Sequence, residues 1–395
     1  MLRYLLVASL AAALPLGAQA TTVDALRDPA NRLIDAALAD TTGYDRLARL
    51  VDTFGPRPAG SAALEQAINW ILGEMKTDGL DNVRGEPVMV TNWSRGAESV
   101  TLLEPRVSTL HMLGLGGSVA TPPEGITAPV MVVKNFDDLN ARAAEAKGRI
   151  VLFDYPFPQD RPPFDAYREA VQYRGGGATA AARVGAVAAL IRSVASFSMQ
   201  TPHTGGMRHT DTTVARIPAA ALSVEDAEMI HRMYLRGDKP VVTLRMEART
   251  LPMAQSHNVV AEIRGSELPD EVVVLGGHID SWDVGQGAMD DGGGSVAAWE
   301  AVRLMKKLGL RPKRTVRVVL WTNEEHGGEG GRAYAAQHAS EKHVAAMESD
   351  NGIFAPRGFR FTGSAAGLAA ARPLAALLDR IGATQMDPGE GEADS

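Results

Sequence analysis

The chain has 395 residues, with 40 Lys and Arg against 47 Asp and Glu, for a formal net charge of −7. That mildly acidic balance gives no support to nucleic-acid binding. Cysteine is absent, which excludes disulfides, thiolate metal sites and cysteine nucleophiles and leaves any metal to His, Asp and Glu.

Residues 1–20 read as a secretory signal peptide. Arg3 is the positive start, Tyr4 to Leu16 is the apolar run, and Ala18-Gln19-Ala20 is a small-residue cleavage site. The run is short for a membrane span, which needs roughly 20 apolar residues, and no later segment is long and apolar enough. The expectation is therefore a periplasmic or secreted protein with no membrane association after cleavage. Loss of the leader leaves 375 residues and, with Arg3 gone, a charge of −8. An apolar fraction of 45% supports a packed core, and the length predicts two domains or one with an insertion.

Three textures follow. From Thr21 to Leu115, the residues Leu64, Ile68, Ile71, Leu72 and Met75 recur at helical spacing, with Gly79 as the stop. Gly55-Pro56-Arg57-Pro58 is a rigid turn, and Val88–Val90 and Val100–Leu103 are strands. From Gly116 to Ala248 the chain is rich in Ala, Gly and short β-like runs at 130–133, 150–153, 186–191 and 219–222, with an Ala-rich helix over 178–184. His203 and His209 lie in a polar loop there and read as solvated rather than as a metal pair. This stretch carries no polar set at catalytic spacing and reads as an inserted domain. From Ser256 onward, strands at 259–263 and 272–276, a helix at 295–308, a strand at 315–321 and a helix at 332–338 alternate. That order predicts an α/β three-layer sandwich with a mostly parallel central sheet. The domains are thus 21–115 with 249–395, interrupted by 116–248.

The chemistry concentrates in the third texture. An apolar run ends in Gly276-Gly277 and presents His278, at the strand end where open α/β sheets hold ligands. Asp280, two residues on, is placed to accept the second ring N–H and fix the tautomer. Met289-Asp290-Asp291 then leads through three glycines into a helix. A phosphate loop is the rival reading, but it needs a Gly-Lys-Ser/Thr sequence that is missing, and two aspartates would repel a phosphate. Strand 315–321 delivers Glu324 and Glu325; leaving an extended strand, neighbouring side chains point to opposite sides, so one faces a metal and the other a water. Asp350 follows a further short apolar run. Taken singly, each of these residues also fits an ordinary turn or surface pair. Their recurrence at strand ends of one sheet, with N and O donors and no sulfur, suits a catalytic zinc pair roughly 3.5–4 Å apart.

The block from Gly277-His278-Ile279-Asp280 through Met289-Asp290-Asp291-Gly292-Gly293, then Trp321-Thr322-Asn323-Glu324-Glu325 and Met347-Glu348-Ser349-Asp350, resembles the two-zinc exopeptidases. Phe54-Gly55-Pro56-Arg57 and Met75 to Val83 resemble the family's first part, and the middle region resembles the protease-associated domain such enzymes insert. The resemblance implies that His278 and Asp350 bind one zinc, Glu325 the other, and Asp290 both. It makes Glu324 the general base and Asp280 the support of His278. The implied reaction is hydrolysis of dipeptides or short peptides next to a free terminus, with carboxypeptidase or dipeptidase specificity ahead of aminopeptidase specificity, and with homodimerisation a family expectation. The family's second zinc also takes a histidine near the C-terminus, preceded by a tyrosine that helps hold the oxyanion. The last histidine here is His343, so a truncated chain is expected, and an inactive scaffold or binding protein is the reading from another class.

Overall fold

The computed structural model describes residues 16–389, with side chains from residue 23. The expected leader lies mostly outside these residues. Among the described residues no helix is long and apolar enough to cross a membrane.

Three helices open the fold: α1 (Leu16–Ala39), α2 (Thr42–Phe54) and α3 (Ala62–Thr77). The Ser61 hydroxyl caps α3 by accepting the Leu64 amide, and Leu64, Ile68, Ile71 and Met75 form its buried stripe. The chain leaves α3 through Gly79, at φ +73°, into β1 (Asp81–Ser94).

A second sheet is assembled from β2 (Glu98–Glu104), β3 (Ser108–Leu110), β4 (Met112–Gly114), β5 (Ile126–Val133), β6 (Ile150–Phe153), β7 (Ala188–Arg192), β8 (Ala219–Leu222) and β9 (Val241–Met246). Its eight strands run in the order β3-β2-β9-β5-β6-β7-β8-β4. It draws in residues 98–114, which the expected division at 115/116 leaves with the first region. Between these strands lie α4 (Phe136–Ala141), α5 (Ala143–Ala146), α6 (Pro163–Arg183) and α7 (Val224–Leu235). Helix α6 starts well before the Ala-rich stretch that signals it. Pro163 is tolerated in the first turn. The glycines at 175–177 mask the helical pattern but serve packing: a Cβ on Gly177 would lie 3.0 Å from Ile191 and 3.1 Å from Phe153.

The central sheet comes next, from β10 (Arg249–Ile263), β11 (Leu268–His278), α8 (Gly293–Lys307), β12 (Arg314–Trp321), α9 (Glu329–Gln337) and β13 (Lys342–Glu348). This is the strand–strand–helix–strand–helix order expected. Five strands are ordered β1-β10-β12-β11-β13, and β10 alone runs against the others, so the sheet is mostly parallel. One face buries Val259, Ala261, Val318 and Leu320 against Ile68 and Ile71 of α3 and Trp299 and Val302 of α8. The other face buries Val260, Val272, Val274, Val319 and Trp321 with Tyr334 of α9. Helices on both faces make the expected three layers. The chain then forms β14 (Gly358–Phe361), α10 (Ala365–Ala371), a 3-10 turn at Arg372–Ile381 and β15 (Gln385–Pro388).

Candidate metal centre

The parallel strands β12, β11 and β13 end side by side, and each end contributes acids. His278 is the last residue of β11 and pairs with Trp321, the last of β12. Glu324 and Glu325 follow Trp321, and Asp350 follows β13. Asp290 arrives from the segment Ala288–Gly292, just before α8, where Asp290 (φ −128°, ψ 96°) and Asp291 (φ −126°, ψ 37°) leave the helical conformation. The four strand and helix ends that the sequence pointed to therefore share one edge, at the carboxyl side of the sheet where ligands bind in such folds.

His278 has no exposed surface. Its Nε2 lies 3.0 Å from Asp290 Oδ1, 3.4 Å from Asp350 Oδ1 and 4.0 Å from Glu324 Oε2. One donor atom from each of His278, Asp290 and Asp350 falls within 4.8 Å of the others. Zinc ligands at about 2.1 Å in a tetrahedron stand about 3.4 Å from one another, so this spacing suits an ion. The charges suit one too. Burial pushes the His278 imidazole toward its neutral form, but Asp280, Asp290 and Asp350 outweigh it and hold the ring well above its ordinary value. These carboxylates therefore call for positive charge at this point, which a divalent cation would supply.

Glu325 is the second mark of a cation. Its Oε1 is buried without a hydrogen-bond partner. Burial, reinforced by Asp290, raises its carboxyl to about 9. A carboxylate placed there needs a nearby positive charge to ionise. Glu324 and Glu325 do not leave an extended strand, as the sequence pattern predicts. The strand stops at Trp321, Asn323 adopts φ +66°, and both acids sit in the turn that follows.

Asp280 is buried, and its part differs from the expected one. His278 Nδ1 donates to the Asp280 backbone carbonyl at 3.1 Å, while the carboxylate stands 3.6 Å away. The carboxylate oxygens instead accept the amides of Glu324 at 3.1 Å and Glu325 at 3.4 Å. Burial works against its charge, but His278 and the Glu324 amide prevail and keep the acid below its usual range. Asp280 therefore organises the Glu324–Glu325 turn as well as the histidine.

Asp291 is a residue that the spacing argument passed over. It is buried, and its two oxygens accept the His278 and Gly294 amides, each at 3.0 Å. Burial lifts its carboxyl to about 9. An acid three residues ahead of a helical amide is a capping position, which is the sequence signal for it. The Ser295 hydroxyl donates to the His278 carbonyl at 3.0 Å and completes the clamp.

The second sheet reaches this edge through Trp282. The Trp282 ring packs on Gly116 and Gly206, where an added Cβ would stand 2.1 Å and 3.9 Å from it. It packs against His326 with ring centres 4.5 Å apart and planes tilted by 52°, and His326 meets Trp93 at 5.8 Å. Arg95 grips Asp283 with two hydrogen bonds of 2.7 and 2.8 Å. His203 and His209 do not join the metal-capable group, which among the described residues comprises His278, Asp290 and Asp350.

Residues 258–393 match the description "Peptidase family M28", a stretch that contains His278, Asp290, Glu324, Glu325 and Asp350. Carboxypeptidase Q of Bos taurus is 51% identical over 350 residues, covering 88% of this chain and 72% of that protein. The crystal structure of a peptidase M28 precursor from Shewanella amazonensis superposes with TM-score 0.88 at 34% identity, covering 94% of this chain and 84% of that one. A zinc aminopeptidase from Bacillus subtilis shares the fold at 21% identity, with TM-score 0.63 over 89% of this chain and 80% of that one. With half its positions shared with a carboxypeptidase over most of both chains, and the family match spanning the clustered acids and histidine, the chain belongs to peptidase family M28 and is a peptide-bond hydrolase.

Proposed function

We propose that the chain is an exported two-zinc exopeptidase that hydrolyses dipeptides or short peptides in the manner of a carboxypeptidase. The observation that carries this reading is the convergence of His278, Asp290 and Asp350 within reach of Glu324. His278 and Asp350 would hold one ion, Glu325 the other, and Asp290 both. When bound, the ions supply the positive charge that lowers the pKa of water and stabilises the oxyanion formed at the attacked carbonyl.

The residues of the chain do the rest. Glu324 takes a proton from the attacking water and returns it to the departing amine. Asp280 holds the backbone amides of Glu324 and Glu325, which fixes the base against the histidine. The buried Asp291 ties the start of α8 to His278 and sets the position of Asp290. Residues 116–248, as a protease-associated insertion, would border the metal centre where Gly116 and Gly206 meet Trp282.

The test uses the purified chain stripped with a chelator and reloaded with zinc. Dipeptide hydrolysis is expected to vanish on stripping and return with the metal. Glu324→Gln is expected to keep its bound metal and lose about 10²- to 10⁴-fold in kcat. Wild-type turnover in that variant would end the general-base assignment, and turnover by the stripped protein would end the metal reading. Preference for an aminoacyl arylamide over a free dipeptide would move the specificity to aminopeptidase.

A further inference from the structure

The loop at residues 202–207 belongs to the second sheet's unit yet lies against the metal centre. Gly116 donates to the Gly205 carbonyl at 3.1 Å, and Met207 donates to the Gly116 carbonyl at 2.9 Å. Gly206 faces both Trp282 and the Glu325 backbone carbonyl, each 3.9 Å from where its Cβ would be. The loop is thus seated beside the turn that carries Glu324 and Glu325.

Beneath the loop is Arg174 of α6, only 9% exposed. Its guanidinium donates to the Thr204 carbonyl at 2.8 Å, to the Tyr167 hydroxyl at 2.6 Å and to His203 Nδ1 at 3.2 Å. It passes directly under Gly205, where a Cβ would come within 2.2 Å of it. Its Nε is buried without a partner. No carboxylate of the described residues makes an ion pair with it, in contrast to the buried Arg46, Arg95, Arg192, Arg303 and Arg317. Held only by neutral groups and by the Tyr167 ring 5.5 Å away, this cation keeps charge to offer an anion.

His203 is the exposed end of this arrangement. Its backbone amide is fixed on the Ser193 hydroxyl at 2.6 Å, and its ring meets Tyr167 edge-on at 6.0 Å. A guanidinium can only donate, so Nδ1 is the acceptor and the neutral ring carries its hydrogen on Nε2. Nε2 meets no hydrogen-bond partner among the described residues. Although the ring is open to solvent, surrounding protein and the Arg174 charge lower its pKa to about 4, against the pull of Asp290, whose charge reaches it across the cleft. The ring is therefore neutral at ordinary pH and offers one outward donor.

We infer that His203, backed by the uncompensated charge of Arg174, is the subsite that receives the free carboxylate of a peptide substrate. This rests on the exopeptidase reading above. At the metal centre Asp290 and Asp350 would be taken up by the ions and Glu324 by the attacking water, whereas the 202–207 loop presents a donor backed by a cation that has no ion-pair partner among the described residues. In a substrate cut one residue from its end, the terminal carboxylate lies about one residue, roughly 3.3–3.8 Å of chain, beyond the scissile bond. A carboxylate subsite must therefore border the metal centre, as this loop does.

The test titrates zinc-loaded Glu324→Gln chain, by calorimetry, with a dipeptide and with the same dipeptide amidated at its C-terminus. The free dipeptide is expected to bind more tightly than the amide. Adding His203→Ala should weaken the free dipeptide about tenfold and leave the amide unchanged, consistent with loss of a hydrogen bond to a charged group. Because His203 is exposed, zinc content and thermal midpoint should hold. Arg174→Met should weaken the free dipeptide in the same selective way. Equal affinity for the two ligands in the parent, or equal loss for both on His203→Ala, overturns the carboxylate subsite alone. Failure of the parent to bind either ligand overturns the exopeptidase reading and this subsite with it.

Discussion

Between α2 and α3 the chain turns through Gly55-Pro56-Arg57-Pro58, and the Arg57 side chain is wholly buried. It donates to the carbonyls of Gly55, Ile279, Gln286 and Gly287 at 2.8–3.1 Å, and its backbone N–H and C=O pair with Ser281. One side chain thus spans the loop from Asp280 to the approach of Asp290. Burial lowers its pKa to about 10, while the Asp280 charge works to raise it. Arg57→Met would strand four carbonyls. A loss of at least about 1–3 kcal/mol in denaturant unfolding is expected, the cost of leaving a buried hydrogen-bonding group unsatisfied. Arg57→Lys should restore part of it, since an ammonium keeps the charge with fewer donors. Equal stability of Met variant and wild type would refute the role. The sequence marked this segment as a turn, but a burial created by contacts across 222 residues of chain leaves no local trace. His278, Glu324, Glu325 and Asp350 were legible because each follows an apolar run that announces a strand end, and Asp290 because a glycine run and a helix follow it. Asp291 and His203 were not, since a capping acid and a loop histidine look like any polar residue until their neighbours are known.

At the scale of elements, the site depends on how closely the start of α8 is laid against the ends of β11 and β13. A Cβ on Gly294 would fall 1.7 Å from the Ser349 carbonyl, and one on Gly277 would fall 2.4 Å from an Asp291 oxygen. These glycines are required by space, not by backbone dihedrals. Gly294→Ala must push the Ser349–Asp350 segment off the helix, and Asp350 with it. A displacement of about 1 Å at a catalytic constellation can lose roughly 100-fold in rate. We expect a loss of that order in kcat/KM, with weakened zinc binding measured by competition with a chromophoric chelator; unchanged zinc affinity would contradict the packing argument. The alternation of strands and helices after Ser256 was readable because buried parallel strands are nearly continuous apolar runs. The turn at Asn323 was not readable, because asparagine tolerates the left-handed region better than most residues but adopts it only where the surrounding packing selects it. Strands β3 and β4 were too short to show periodicity, and their place in the second sheet is set by pairing with β2 and β8.

Across the whole molecule, the central sheet is tied from its β1 edge inward by a charge network that is buried except at Glu341. Arg317 of β12 meets Glu262 of β10 at 2.7 Å and Glu341 at 2.6 Å, and His338 bridges Glu341 to Glu86 of β1 at 3.0 Å on each side. Burial raises the Glu341 acid, but Arg317 and His338 outweigh it and hold the group at about 2, below its ordinary 4.5. A depressed carboxyl stabilises the fold above its unfolded value and loses that contribution as pH falls toward the folded one. The denaturation midpoint is therefore expected to drop as pH falls from 4.5 toward 2, and to drop less in Glu341→Gln; identical acid slopes would exclude this network as the cause. The fold class and the order of elements in this half were visible in the sequence, whereas the network was not, because its members come from four separate segments. The contact of Trp282 with Gly116 and Gly206 has a consequence for anyone who recombines such proteins. The indole occupies the space that a side chain on Gly116 would need, whereas a Cβ on Gly206 would make an ordinary contact with it. A chimera that imports the second unit from a relative with a larger residue in place of Gly116 would wedge this contact apart, so that glycine and the tryptophan must be transplanted together.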